Sequence, residues 1–258
     1  MLCREIVNKI EEVYPKKYAM DWDNVGLLAG RGNKEVSKIY VALDLTEEAL
    51  AEAVRWKTDM IVTHHPLIFS PLKTITDESV TGNYMITMLK NDISYYAMHT
   101  NYDVLRMAEL SAEIFGFAER ETLDVFFEEE KRGLGCIGTY GKELNLRECC
   151  EIVKKQFGLE HIKVFGDLDK KIERIAICPG SGKSVIRTAV KKGADVLITG
   201  DIGHHEGIDA AADGMAVIDA GHYGLEHIYI EDMKKFLEKK LLHVEIKTAG
   251  LKPPFQFI

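Results

Sequence analysis

Nothing in the sequence approaches the roughly 20 consecutive apolar residues that cross a bilayer. Its opening segment, MLCREIVNKIEEVYP, is a charged amphipathic helix pattern without a signal-peptide apolar stretch. The expectation is a cytoplasmic protein that engages no membrane. Basic residues are outnumbered, 33 Lys and Arg against 41 Asp and Glu, giving a net charge of -8. That balance weighs against a nucleic-acid binder, which gathers Lys and Arg on one face to meet phosphates. Cysteine is scarce too: Cys3, Cys136, Cys149, Cys150 and Cys178 are odd in number and contain no C-x-x-C pair. This excludes a disulfide framework and a structural thiolate zinc site, and predicts reduced, buried thiols.

What is present is enough apolar residue, 46% of 258, to bury a substantial core. Lys38 to Leu43 reads as a β-branched strand, Thr46 caps a helix carrying Leu50, Ala53 and Val54 on one face, and Met60 to Val62 makes a second strand. A helix near Gly82 to Lys90 and a strand at Ile93 to Ala97 follow, the alternation of a mostly parallel sheet. From Lys131 to Tyr140 runs a Gly-punctuated strand, from Asn145 to Phe157 a helix, and His161 to Phe165 is extended.

At Arg174 the pattern starts again. Without a gap, at an offset of 136, Ile39 meets Ile175, Ala53 meets Ala189, Val54 meets Val190, Asp59 meets Asp195 and Thr63 meets Thr199. The expected fold class is therefore α/β: two intertwined repeats with mixed, mostly parallel sheets and a metal site in the cleft between them. The repeats are assigned to residues 1–125 and 126–258, with a C-terminal tail that can return to the first sheet.

The strand ends carry the chemistry. IVTHHP places His64 and His65 where a strand stops, since Pro66 cannot continue it, and ligands in open α/β sheets gather at carboxyl ends of strands. The next strand in each repeat leads into His-x-x-x-carboxylate, His99 to Asp103 and His222 to Glu226. On a first helical turn that spacing brings both side chains to one side. Neutral imidazole and carboxylate suit Zn, Fe, Mn, Co or Ni. Five or six such ligands exceed the needs of one tetrahedral ion, and two ions sharing a carboxylate account for the surplus.

Other segments carry less. PGSGKS (Pro179 to Ser184) lacks the first glycine of a phosphate loop, because Ile177 stands there, and reads as a strand-to-helix turn. FFEEEKR (Phe126 to Arg132) reads as a solvated turn. Asp201, His204 and His205 follow the second strand of the second repeat and face either the cleft or a helix start.

WDNVGL (Trp22 to Leu27), THHP, HTNYD, GSG (Gly180 to Gly182), TGD (Thr199 to Asp201) and DAGHYGLE (Asp219 to Glu226) together resemble the GTP cyclohydrolase 1 type 2 homologue family, also called NGG-interacting-factor-three-like proteins. The resemblance covers nearly the whole chain and matches the short form without an inserted domain. It implies a dinuclear metal centre held by His64, His65, Asp103, His222 and Glu226, with Glu226 bridging, and a homohexameric ring. His99 falls outside that ligand set and orients a ligand instead. The expected activity is a metal-dependent hydrolase acting on a nucleotide or phosphoester, with His99 or His205 moving protons. A non-catalytic metal-trafficking, sensing or scaffold protein is the alternative from the same ligand set.

Overall fold

A computed structural model describes residues 1–256 and 258. The chain forms two compact units, Met1–Tyr102 with Tyr229–Leu251, and Asp103–Ile228 with Lys252–Ile258. This division falls earlier than the expected one at 125/126. Helix Ala108–Phe115 contributes Ala112 and Phe115 to the second unit's core, so that unit has begun well before residue 126.

In the first unit β1 (Gly26–Ala29), β2 (Lys38–Ala42), β3 (Met60–Thr63), β4 (Ser94–Ala97) and a last strand, β11 (Glu245–Thr248), form one sheet in the order β1-β4-β3-β2-β11. The tail strand thus returns to the first sheet, parallel to β2. Only β1 runs antiparallel to its neighbour. Successive strand residues face opposite sides. Tyr40, Ala42, Ile61, Tyr95 and Ala97 pack with Leu50 and Ala53 of helix Glu47–Arg55 and with Met85 and Met88 of helix Val80–Lys90. The intervening Ile39, Val41, Met60, Val62 and Tyr96 are equally buried. Burial on both faces explains why these strands read as continuous apolar runs rather than alternating ones.

The second unit contains β5 (Glu119–Phe127), β6 (Arg132–Asn145), β7 (Lys163–Phe165), β8 (Lys171–Ser181), β9 (Val196–Gly200) and β10 (Ala216–Asp219) in the order β5-β6-β8-β9-β10-β7. One face packs Ile175, Ile177, Val196, Ile198 and Ile218 against helix Leu146–Phe157. The other packs Ala176, Leu197 and Val217 against Val185, Ala189 and Ala210. FFEEEKR lies at the β5–β6 hairpin turn, as its run of acids suggests. β5 itself, rich in charge and open on one edge, carried too weak an apolar pattern to be read as a strand.

The repeat extends to hydrogen bonds. β2 pairs with β3 as Ile39 with Met60, and β8 with β9 as Ile175 with Val196. Asp59 accepts from the Ser37 and Lys38 amides at 2.8 and 3.0 Å, and Asp195 accepts from the Glu173 and Arg174 amides at 2.9 Å each. Each carboxylate pins the residues just before the preceding strand begins its parallel pairing, at Ile39 and at Ile175, which is why an acid stands at both places. No helix among the described residues is long and apolar enough to cross a membrane.

Candidate metal centre

In the first unit the ends of β3 and β4 bring three histidines together. One ring nitrogen of each of His64, His65 and His99 lies within 4.8 Å of the others, and the ring centroids are 4.9 to 5.6 Å apart. His64 is fully buried, while His65 and His99 are half-buried. Backbone bonds hold the doublet to the end of β2: the His64 amide donates to the Ala42 carbonyl and the His65 amide to the Leu43 carbonyl. The His65 carbonyl in turn accepts from the Thr63 hydroxyl at 2.8 Å and the Tyr95 hydroxyl at 3.1 Å. Burial pushes the Tyr95 hydroxyl up to about 12, so it stays a donor across the physiological range.

Each ring is oriented through Nδ1. His64 Nδ1 meets the Met98 carbonyl at 3.1 Å, His65 Nδ1 meets Asp44 Oδ1 at 2.7 Å, and His99 Nδ1 meets Asp23 Oδ1 at 2.9 Å. A carbonyl oxygen only accepts, and so does an ionised carboxylate. Nδ1 is therefore the protonated nitrogen, and the lone pair sits on Nε2, where a ligating imidazole needs it. Asp23 is itself buried: burial pushes its carboxyl up, but the hydrogen bond and charge of His99 and the Thr100 amide and hydroxyl outweigh burial and hold it at about 2.

The second unit repeats the device. His222 and Glu226 open and close the short helix His222–Glu226, and the four-residue spacing places His222 Nε2 2.9 Å from Glu226 Oε2. His222 Nδ1 meets Asp201 Oδ2 at 2.7 Å. Glu226 is buried, and two glycines make room for this corner. A Cβ on Gly180, whose φ is +75°, would lie 2.5 Å from Glu226 Oε1, and one on Gly182 would lie 2.1 Å from Thr199 Oγ1. The GSG motif is thus a close-packing requirement. Asp103 opens a π-helical turn, Asp103–Met107, and is half-buried.

The donor set, imidazole nitrogens backed at Nδ1 together with carboxylate oxygens, fits a divalent ion of the zinc to iron group. Of the sequence candidates, His64, His65 and His99 converge in the first unit, and His222 with Glu226 in the second. His205 is exposed on helix His204–Ala212, 5.2 Å from the His204 ring. The offset of 136 explains this placement: Gly200 and Asp201 occupy the places of His64 and His65, and the second doublet lies beyond them.

A family profile described as Duf34/NIF3 (NGG1p interacting factor 3) matches residues 1–253. A Clostridium perfringens protein named GTP cyclohydrolase 1 type 2 homolog is 36% identical over 262 residues, covering 100% of both chains. The chain belongs to the Duf34/NIF3 family. Among solved structures, a Bacillus cereus protein related to NIF3 superposes with a TM-score of 0.91 at 26% identity, covering 100% of this chain and 99% of that one. Reduced HcgD from Methanocaldococcus jannaschii superposes at 0.84 with 30% identity, covering 96% and 97%.

Within this member of the family, Asp44 and Asp23 are the ring supports that the sequence alone leaves unmarked. Asp23 lies inside the WDN motif, which gives it no role of its own, whereas Asp201, read from the TGD motif as facing the cleft or a helix start, backs His222 Nδ1. Asp44 had no motif at all; its only signal is its place just past β2, beside the end of β3. All five cysteines are buried free thiols, as their count and spacing predict.

Proposed function

We propose that this protein holds two divalent metal ions with His64, His65, Asp103, His222 and Glu226, and is a metal-dependent hydrolase of a nucleotide or phosphoester. The observation that carries the reading is the Nδ1 backing shared by His64, His65 and His222, at 3.1, 2.7 and 2.7 Å. An acceptor held at Nδ1 orients each ring and leaves Nε2 as the nitrogen offered to an ion.

A bound pair of ions would supply Lewis acidity and an acidified water. The chain's own residues would do the rest. Asp44 and Asp201 keep the His65 and His222 rings turned with Nε2 toward the ligand. Tyr95 and Thr63 fix the main chain that carries the histidine doublet. His99, held by Asp23 at Nδ1, can accept a proton at Nε2 from the attacking water and return it to the leaving group. Glu226 would contribute its buried carboxylate to holding the ions.

The test is metal stoichiometry by elemental mass spectrometry on protein purified without chelator or affinity metal, beside Glu226→Ala and His205→Ala. About two ions per chain, lost from Glu226→Ala and retained in His205→Ala, is the expected result. Equal loss in both variants, or no metal after reconstitution, would defeat the proposal. The hydrolase part is tested separately by a turnover screen of nucleotides and phosphoesters with loaded protein.

One observation favours a second reading, metal trafficking. The His222 side chain is 35% exposed, and its partner Asp201 is 53% exposed. Such a ligand can be reached from solvent. Rapid exchange of the ions with a soluble chelator would support trafficking, and a tightly held pair would support catalysis.

A further inference from the structure

Large aromatic side chains stand exposed beside the histidine cluster. Trp22 is 59% and Phe69 52% accessible to solvent, their ring centroids are 5.8 Å apart, and the planes are inclined by 44°. Both rings lie near His99, with centroid distances of 6.0 Å for Trp22 and 6.4 Å for Phe69. Exposed apolar area of this kind costs free energy in water unless something covers it.

The rings are also fastened in place by their neighbours. The side chain of Asp23, next to Trp22, is fully buried and accepts from the Thr100 amide at 3.0 Å and the Thr100 hydroxyl at 2.5 Å while holding His99. Asn24 donates from its side-chain amide to the Ile68 carbonyl at 2.6 Å, tying the Trp22 loop to the segment that presents Phe69. The Met20 amide donates to Thr100 Oγ1 at 2.9 Å on the other side of Trp22. A loop that merely tolerated an exposed tryptophan would not need five tertiary hydrogen bonds within five residues to hold it there.

We propose that Trp22 and Phe69 are a stacking platform for a planar heteroaromatic ring, so that the ligand of the site carries such a ring rather than being a plain phosphoester. This rests on the metal-site reading above, since the platform flanks the histidines of that site. Two inclined aromatic faces accept a flat ring by stacking on one and edge contact with the other, at centroid separations of this order. Stacking of this kind tolerates many rings because each presents a π face, and it selects for the ring against the phosphosugar.

The experiment uses the full, metal-loaded chain in a Trp56→Phe background, which leaves Trp22 as the sole tryptophan and reporter. GMP, AMP and UMP are titrated beside ribose 5-phosphate, which has the phosphate and sugar without the ring. Saturable quenching of Trp22 by at least one nucleotide and none by ribose 5-phosphate at the same concentration is expected. Phe69→Ala should then weaken binding about tenfold or more, and Phe69→Tyr should restore it. If none of the three nucleotides is distinguished from ribose 5-phosphate, or if Phe69→Ala binds as the parent does, the proposal is overturned. A change of assembly size in Phe69→Ala by light scattering, without any ring binding by the parent, would assign the pair to contact with a second copy and overturn it likewise. Metal content measured on each sample separates this failure from that of the metal-site reading: a loaded protein that ignores the ring defeats only the platform.

Discussion

Asp201 Oδ2 lies 2.7 Å from His222 Nδ1, and Asp201 stands in the second repeat where His65 stands in the first. The same strand end thus presents a ring in one copy and the support for a ring in the other. Replacing Asp201 with Asn keeps the size and removes the charge, so the His222 ring loses its charged acceptor at Nδ1. Metal affinity should fall about 10- to 100-fold, with an unchanged circular dichroism spectrum. Competition against a chromophoric chelator measures it, and parental affinity would leave Asp201 no role in holding the ring.

Asp44→Asn should act on His65 in the same way and by a similar factor. Because Asp44 and Asp201 support different rings, the double variant shows whether both rings serve one centre. Additive losses indicate independent sites, while a double variant no worse than either single one indicates one centre that fails as a unit.

Gly180→Ala is predicted to be costly for two separate reasons. The backbone at φ +75° strains an L side chain, and the added methyl would press on Glu226 Oε1. The first alone costs about 1 kcal/mol or more in urea unfolding. The second should also reduce bound metal, which a purely conformational penalty would not. Normal metal content with lowered stability would restrict Gly180 to a backbone role.

Tyr95→Phe removes a hydroxyl that donates to the His65 carbonyl, accepts from the Leu67 amide at 2.8 Å, and lies 2.7 Å from Thr63 Oγ1. The buried partners left behind should cost about 1 to 3 kcal/mol of stability. The variant should also bind metal more weakly, since the doublet's main chain loses its anchor. Chemical denaturation and metal titration of the same preparation test both effects.

Burial pushes the Cys136 thiol up to about 12 and the Cys150 thiol to about 11, from an ordinary value of 9.0. Both are therefore neutral thiols at pH 8, and a disulfide reagent should modify neither in the native protein, though all five cysteines should react in urea. The sign for stability follows. Below pH 9 the thiols are protonated in both states and contribute no pH dependence. As pH rises from 9 toward 12 the unfolded chain releases protons that the folded chain retains, so stability falls. Denaturation midpoints at pH 8 and 10 check the direction.

Much of this was legible in the sequence because the repeat doubled each signal. Asp59 and Asp195, or Thr63 and Thr199, gain meaning from recurring at one offset: the acids stand just before β3 and β9, and the threonines within those strands near their ends. The ligand motifs were visible for a similar reason, since adjacent or four-spaced histidines and acids stand out at strand ends. The supports were less visible. Asp44 and Asp23 reach His65 and His99 from 21 and 76 residues away. Nothing local in a sequence reports such a bond. The unit boundary was obscured because a charged edge strand and a helix with a weak apolar stripe precede the first clear signal of the second repeat.

Chain order gives the division into units a further meaning. The first sheet leaves β2 exposed at its edge until residues 245 to 248 arrive, and the whole of Asp103–Ile228 lies between. During synthesis the second unit therefore has all of its strands before the first does. An open edge of buried-type sequence, Ile39 to Ala42, must wait through that interval, and such edges recruit foreign strands. Truncation before Glu245 would make that temporary vulnerability permanent, so the last short strand acts as the closing step of folding for a unit whose first strand was made more than 200 residues earlier.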